Sequence, residues 1–217
     1  MENNFLWLLD NGHSKVTLGK RSPVMEDGKR FYEYEFNRDI VRRISRQLIS
    51  CGIRHHILVP ETAIEINIRE RLNRVNSVIS ELPKILVSIH SNAFGNGMNW
   101  ENIDGIETFY YNKNPNSKIV ASIFHETLVK KLNWTDRGLK TKTNDKNGKL
   151  IEPYLLKQHI PSIMTATGFY TNKDECIKLL SDLWRERIAN AHFEAIKKNE
   201  ENFKKSLLFQ PEMYYAI

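Results

Sequence analysis

The apolar positions of this chain follow two rhythms. A short, unbroken apolar run occupies residues 5–9 (Phe-Leu-Trp-Leu-Leu); residues 53–59, interrupted by Arg54, His55 and His56, and residues 85–89 look similar, with residues 161–165 as a fourth candidate. Runs of this length predict strands buried on both faces of a sheet. Between them the period lengthens. Phe36, Ile40, Ile44 and Leu48 recur every fourth residue, with Arg38, Arg42 and Arg46 on another face. That pattern predicts an amphipathic helix, and Gly52 closes it at the C′ position. Further helices are predicted over residues 64–80 and 117–132. A last one carries Ile177, Leu180, Trp184, Ile188 and Ala191 on one stripe, opened by a capping pair of Asn172 and Glu175.

Strands alternating with helices predict an α/β domain, with a twisted, mainly parallel sheet covered by helices on both faces. One domain over residues 1–202 is expected, followed by a tail, 203–217, to which no role is assigned. In open sheets of this kind functional groups gather at the carboxyl ends of the strands. Polar, Gly- and Asn-containing loops at residues 14–30, 95–104 and 140–149 are expected to rim a cleft there.

Composition narrows the class. A chain of 217 residues, 41% apolar and 27% charged, can bury a core without disulfide or metal staples. Cys51 and Cys176 form no ligand motif and read as free thiols. The apolar run at 5–9 has no basic leader and stops at Asp10, so no secretion signal is expected. No stretch approaches the roughly 20 apolar residues that span a bilayer. The net charge of +6 favours anionic partners, although a solvated basic surface explains it as simply. The basic residues are spread over several helices among 26 acids rather than clustered with aromatics, so a nucleic-acid partner is not expected.

Two histidines stand where this architecture places active sites. His13 follows the first strand in Asp10-Asn11-Gly12-His13, and His90 ends the strand at 85–89, followed by Ser91-Asn92-Ala93. A lone histidine there is usually structural, but two at neighbouring strand ends suggest metal ligation. A catalytic zinc site needs three protein ligands and an open position. Glu33 and Glu35 are the candidates for the third. Glu33 lies one turn before Phe36 and Asn37, at the edge of the buried face, where an unpaired carboxylate is costly. Glu35 shares its side with Asp39, Arg42 and Arg46, so solvent and ion pairs account for it. Glu33 is the better ligand; its alternative role is a charge favoured by the helix dipole.

These segments resemble the zinc-ligand motifs of a family of N-acetylmuramoyl-L-alanine amidases that includes cell-separation amidases and phage endolysins. The resemblance rests on His13 in Asp-Asn-Gly-His, Glu33 in Glu-Tyr-Glu-Phe-Asn and His90 in Ser-Ile-His-Ser-Asn-Ala. Arg71-Leu72-Asn73-Arg74-Val75-Asn76 is similar to the family's Arg-x-x-x-Ala-Asn segment, and residues 161–172 (PSIMTATGFYTN) match its last motif. The likeness runs from about residue 5 to 196. It implies zinc bound by His13, Glu33 and His90, and peptidoglycan as substrate, cut between N-acetylmuramic acid and L-alanine. With no leader segment, an endolysin type is implied, cytoplasmic until release and then acting on the wall.

One position departs from the family. Ala166 stands where the family carries its catalytic glutamate, and no Asp or Glu lies between Glu152 and Asp174 to replace it by a shift of register. Loss of a proton shuttle costs about 10²–10⁴ in rate. The chain is therefore expected to be inactive. An engineered substitution, a natural pseudoenzyme and a substitute acid from a loop all account for Ala166, and one clean loss inside an intact motif most resembles engineering. Glu107 and Glu152 are the conceivable substitutes, each expected to be a surface charge. The alternative function is a zinc-containing, non-catalytic wall-binding protein.

Other patterns fail. Gly19-Lys20 is followed by Arg21, not Ser or Thr, so it makes no P-loop. His125-Glu126 has Val129 where a zincin has its second histidine. His55, His56 and His192 read as structural or surface residues. His159, near the last motif, is a weaker candidate for touching substrate. Trp100, Trp134 and Tyr154 are read as core packing ahead of sugar stacking.

Overall fold

A computed structural model of the chain describes residues 3–61, 64–95, 97–144 and 150–205. Its centre is a six-stranded sheet of β1 (Leu6–Asn11), β2 (His55–Ile57), β3 (Lys84–Asn92), β4 (Ile106–Tyr110), β5 (Asp136–Lys140) and β8 (Ser162–Phe169). The order is β2-β1-β3-β8-β4-β5, parallel throughout except where β4 runs antiparallel to β8. Separately, β6 (Thr143–Asn144) and β7 (Leu150–Ile151) pair antiparallel as a two-stranded sheet.

Alternate residues along each strand build two cores. Trp7, Leu9, Ile85, Val87, Ile89 and Ile163 enter the larger one. There they meet α1 (Glu33–Ser50), α3 (Pro115–Leu132), α4 (Lys173–Leu180) and α5 (Asp182–Lys205). Leu8 and Leu86 point the other way, to Val75 of α2 (Ile68–Ser77) and Leu155 of the 3-10 turn Tyr154–Leu156. Helices thus cover both faces, as the alternation predicts. Among the described residues, no helix is long and apolar enough to cross a membrane.

The α1 stripe is as predicted: Phe36, Ile40, Ile44 and Leu48 are fully buried. Gly52, at φ +68°, ends the helix by donating to the Ile49 carbonyl while Ile53 donates to that of Leu48. This is the paired closure that a left-handed C′ residue permits. Arg38 departs from its expected solvent face. It is buried and bonds the carbonyls of Glu61 and His13.

The last predicted helix is two, broken at Ser181. Asn172 does cap the first, accepting from the Glu175 amide. The break rotates the stripe, so that Cys176, Leu179, Ile188, Ala191, Ala195 and Ile196 are buried and Ile177 is half exposed. α5 continues to Lys205, with Phe203 edge-on to Phe5, and residues 206–217 lie outside the described part.

Candidate metal centre

β1 and β3 are adjacent and parallel, with Asn11 in register with Ile89, so their carboxyl ends deliver His13 and His90 side by side. The two rings lie edge to face, centroids 5.0 Å apart. Glu33, the first residue of α1, comes up between them. One of its oxygens is 3.0 Å from His90 Nδ1, the other 3.4 Å from His13 Nε2. One donor atom from each of the three residues lies within 4.8 Å of the others. Glu33 is 2% exposed, whereas Glu35 is exposed and accepts from the Tyr34 hydroxyl.

The backbone pays for this convergence at His13, whose φ of 61° is in the left-handed region that a non-glycine residue enters at about 1–2 kcal/mol. Two buried arginines hold it there. The His13 carbonyl accepts from Arg38 at 2.7 Å and from Arg71 at 3.4 Å. Arg71 also bonds the Asn11 carbonyl and pairs with Asp10, which in turn accepts from the Ser88 hydroxyl. Asn37 of α1 adds a bond to the Gly12 carbonyl. The segment 10–13 is thus clamped from α1, α2 and β3 together.

The protonation states suit a cation. Burial would push the Glu33 carboxyl up, but facing His13, the His90 hydrogen bond and the more distant Lys20 override it and hold it at about 2. Burial lowers the His13 imidazole to about 4 despite Glu33 opposite. A buried carboxylate whose ion-pair partners among the described residues are two imidazoles retains one uncompensated negative charge when those rings are neutral. Two imidazole nitrogens and one carboxylate oxygen are a donor set that zinc accepts, so the residues fit the ion that the sequence implies.

Ala166 lies beside this cluster. In β8 it is in register with His90 of β3 on one side and with Glu107 of β4 on the other, and it is 3% exposed. Glu107, expected as a surface charge, is largely buried on this face. Its carboxylate accepts from Asn92 Nδ2 and from Arg137 Nε, each at 2.9 Å. Because β8 runs between β3 and β4, the bond to Asn92 crosses over it near Ala166. The alternation in Ile106-Glu107-Thr108 held the signal: it sets Glu107 opposite two buried residues, on the face His90 uses. Glu152 is bonded elsewhere, to Lys157.

The remaining candidates stay outside the cluster. His192 is buried against Thr165 and the Ile188 carbonyl, and His55 bonds Ser45. His125 bonds Thr108 and Asp136, while His56 and His159 are exposed. Trp134 is buried and Trp100 partly so, but Tyr154 is exposed at 58%, with Lys157 over its ring, and so packs no core. Of the expected rim, residues 96 and 145–149 lie outside the described part. Cys51 and Cys176 are free thiols.

Comparison with known proteins extends the pattern. The family model described as N-acetylmuramoyl-L-alanine amidase matches residues 8–198. An uncharacterised cell wall amidase of Bacillus anthracis is 39% identical over 121 residues, 52% of this chain and 20% of that protein. N-acetylmuramoyl-L-alanine amidase LytC of Bacillus subtilis is 29% identical over 167 residues, 76% of this chain and 30% of that protein. The chain therefore spans less than a third of either relative. An endolysin of Bacillus phage SPP1 is 26% identical over 94% of this chain and 69% of its own length. In fold, the chain is similar to the N-acetylmuramoyl-L-alanine amidase of Clostridium difficile 630. The TM-score is 0.74 at 24% identity, covering 92% of this chain and 98% of that one.

Proposed function

Given that this chain belongs to the N-acetylmuramoyl-L-alanine amidase family, we propose that it is a zinc-site amidase. In this reading it acts on the bond between N-acetylmuramic acid and the first L-alanine of the peptidoglycan stem peptide. The observation that carries the reading is the convergence of His13, Glu33 and His90, three ligand-type side chains from separate parts of the chain. These three would hold the ion, and zinc when bound supplies Lewis acidity at the amide carbonyl.

The chain's own groups set the rest. The left-handed turn at His13, braced by Arg38 and Arg71, aims that imidazole at Glu33. Glu33 stays ionised and His13 neutral through the neutral range, so neither must lose a proton before binding a cation. Ala166 supplies no carboxylate to take a proton from the attacking water and return it to the leaving amine. Catalysis without that transfer is slower by about 10²–10⁴. The chain as it stands is thus a nearly inactive amidase, one acid short of a full site. The likeness to a phage endolysin over 94% of the chain supports an endolysin type acting at the wall. Ala166 also favours a second reading, a zinc-containing protein that binds the wall without cutting it.

Release of L-alanine amino groups from purified peptidoglycan separates the two. The zinc-loaded native chain and Ala166→Glu are compared, and the amidase reading expects a gain of at least about a hundredfold for the variant. No gain in a folded, zinc-binding variant would reject the amidase and leave the wall-binding reading.

A further inference from the structure

Arg137 of β5 projects onto the face of the sheet that carries His90, and its guanidinium is fixed on two sides. Nε donates to Glu107 at 2.9 Å, and Cζ sits 5.1 Å from the centroid of the Phe169 ring. Neither Nη has a hydrogen-bond partner among the described residues, and the side chain is 30% exposed. Glu107, whose two oxygens are turned toward Arg137 and Asn92, is 13% exposed. The accessible edge of this pair is therefore the cationic one. A guanidinium already immobilised by the protein loses little rotamer freedom on binding, and its Nη donors match a carboxylate.

We propose that Arg137 is a specificity-determining subsite that takes a carboxylate of the stem peptide one residue beyond the L-alanine. The inference rests on the amidase reading above. The separation fits. Asn92, two residues beyond His90, is joined to Glu107 across β8, and Glu107 to Arg137, so one continuous row leads from the metal cluster to the guanidinium. Arg137 stands on β5, three strands from β3, but its Nε lies on the Glu107 carboxylate of β4. That brings the guanidinium to within two strand spacings of β3, about 10 Å. Two extended peptide residues cover about 7 Å, and a charge-assisted hydrogen bond of about 2.8 Å closes the remainder. On β8 beneath that path, Ala166 adds only a methyl group, and the Phe169 ring lies against the guanidinium.

Calorimetric binding of two muramoyl dipeptides to the zinc-loaded chain tests this, since Ala166 keeps turnover slow. In one probe the carboxylate of the residue after L-alanine is free; in the other it is a carboxamide. The native chain is expected to prefer the free acid by about tenfold or more. Arg137→Gln should abolish that preference while leaving the amide probe within about twofold, and Arg137→Lys should be intermediate. Zinc affinity and melting temperature serve as controls for folding. Equal native affinity for both probes, or an equal loss for both in Arg137→Gln, would overturn the subsite. So would native binding to neither probe when Ala166→Glu cuts peptidoglycan. Binding to neither with an inert Ala166→Glu would overturn the amidase reading as well.

Discussion

The His90 imidazole lies directly against the backbone of Gly12: a Cβ placed on Gly12 would fall 1.9 Å from His90 Cε1 and 2.4 Å from Nε2. The glycine is required there by close approach, because the ring fills the space that any other residue would need. Gly12→Ala should displace His90 from Glu33 while leaving the two cores intact. Zinc affinity, read by competition with a chromogenic chelator, is expected to fall by roughly 10–100-fold, as for loss of an orienting group at a metal site. Unchanged affinity would mean that His90 is not a ligand.

Arg71 and Asp10 make the second dependence. They are 4% and 1% exposed and pair directly, with Arg71 reaching on to the carbonyls of Asn11 and His13. Arg71→Ala leaves Asp10 buried without its cation, at a cost of about 3–5 kcal/mol. Arg74, three residues on, pairs with Glu61 and Glu70 in a much more exposed setting. Its replacement by alanine should cost about 1 kcal/mol or less. Urea unfolding of the two variants checks the contrast, and equal costs would contradict the burial argument.

That contrast also shows what the sequence could disclose. Strand-end placement of His13 and His90 follows from short apolar runs, because a buried parallel strand has to be continuously apolar. The choice of Glu33 follows from helical spacing against Phe36 and Ile40. The partners that arrive from elsewhere in the chain were not legible. Arg38 shares a period with Arg42 and Arg46, and nothing local says that its guanidinium turns inward to the His13 carbonyl. Glu107 and Arg137 sit on β4 and β5, short strands whose polar members left no long apolar run. Their meeting with Asn92 depends on strand order and on the antiparallel insertion of β4 beside β8. Spacing along the chain carries neither.

Acid should weaken the metal-free protein in part through the cluster. His13 has its folded value lowered from 6.5 to about 4, so only the unfolded state gains its proton between those limits. Stability from His13 is therefore complete above about pH 6.5 and lost as pH falls to 4. Glu33, lowered from 4.5 to about 2, adds a loss between those values. Buried Glu175 acts in the opposite sense: it is raised from 4.5 to about 7, so its contribution is lost as pH rises through that range. Differences between native and variant curves separate these effects. Buried His192, likewise lowered to about 4, shares the window between pH 6.5 and 4, and Glu61, bonded to Arg74, shares the one below 4.5. His13→Gln and Glu33→Gln should therefore each lessen the decline in its window without removing it. A decline left unchanged by both substitutions would place the sensitive groups outside the cluster.

Zinc should reverse that weakness, because the site is assembled only when β1, α1 and β3 are folded together. A ligand that binds only the folded state stabilises it by about 2.7 kcal/mol at a hundred times its dissociation constant. For a domain of this size that corresponds to a rise in melting temperature of about 5–10 °C. Glu33→Gln removes the anionic donor but preserves the shape, so the zinc-dependent rise should shrink to near zero while the metal-free melting temperature changes much less. Magnesium, which prefers oxygen ligands in octahedral geometry, should give no comparable shift in the native chain. An equal rise in native and Glu33→Gln proteins would mean that zinc binds away from His13, Glu33 and His90, and would remove the central support for the amidase site.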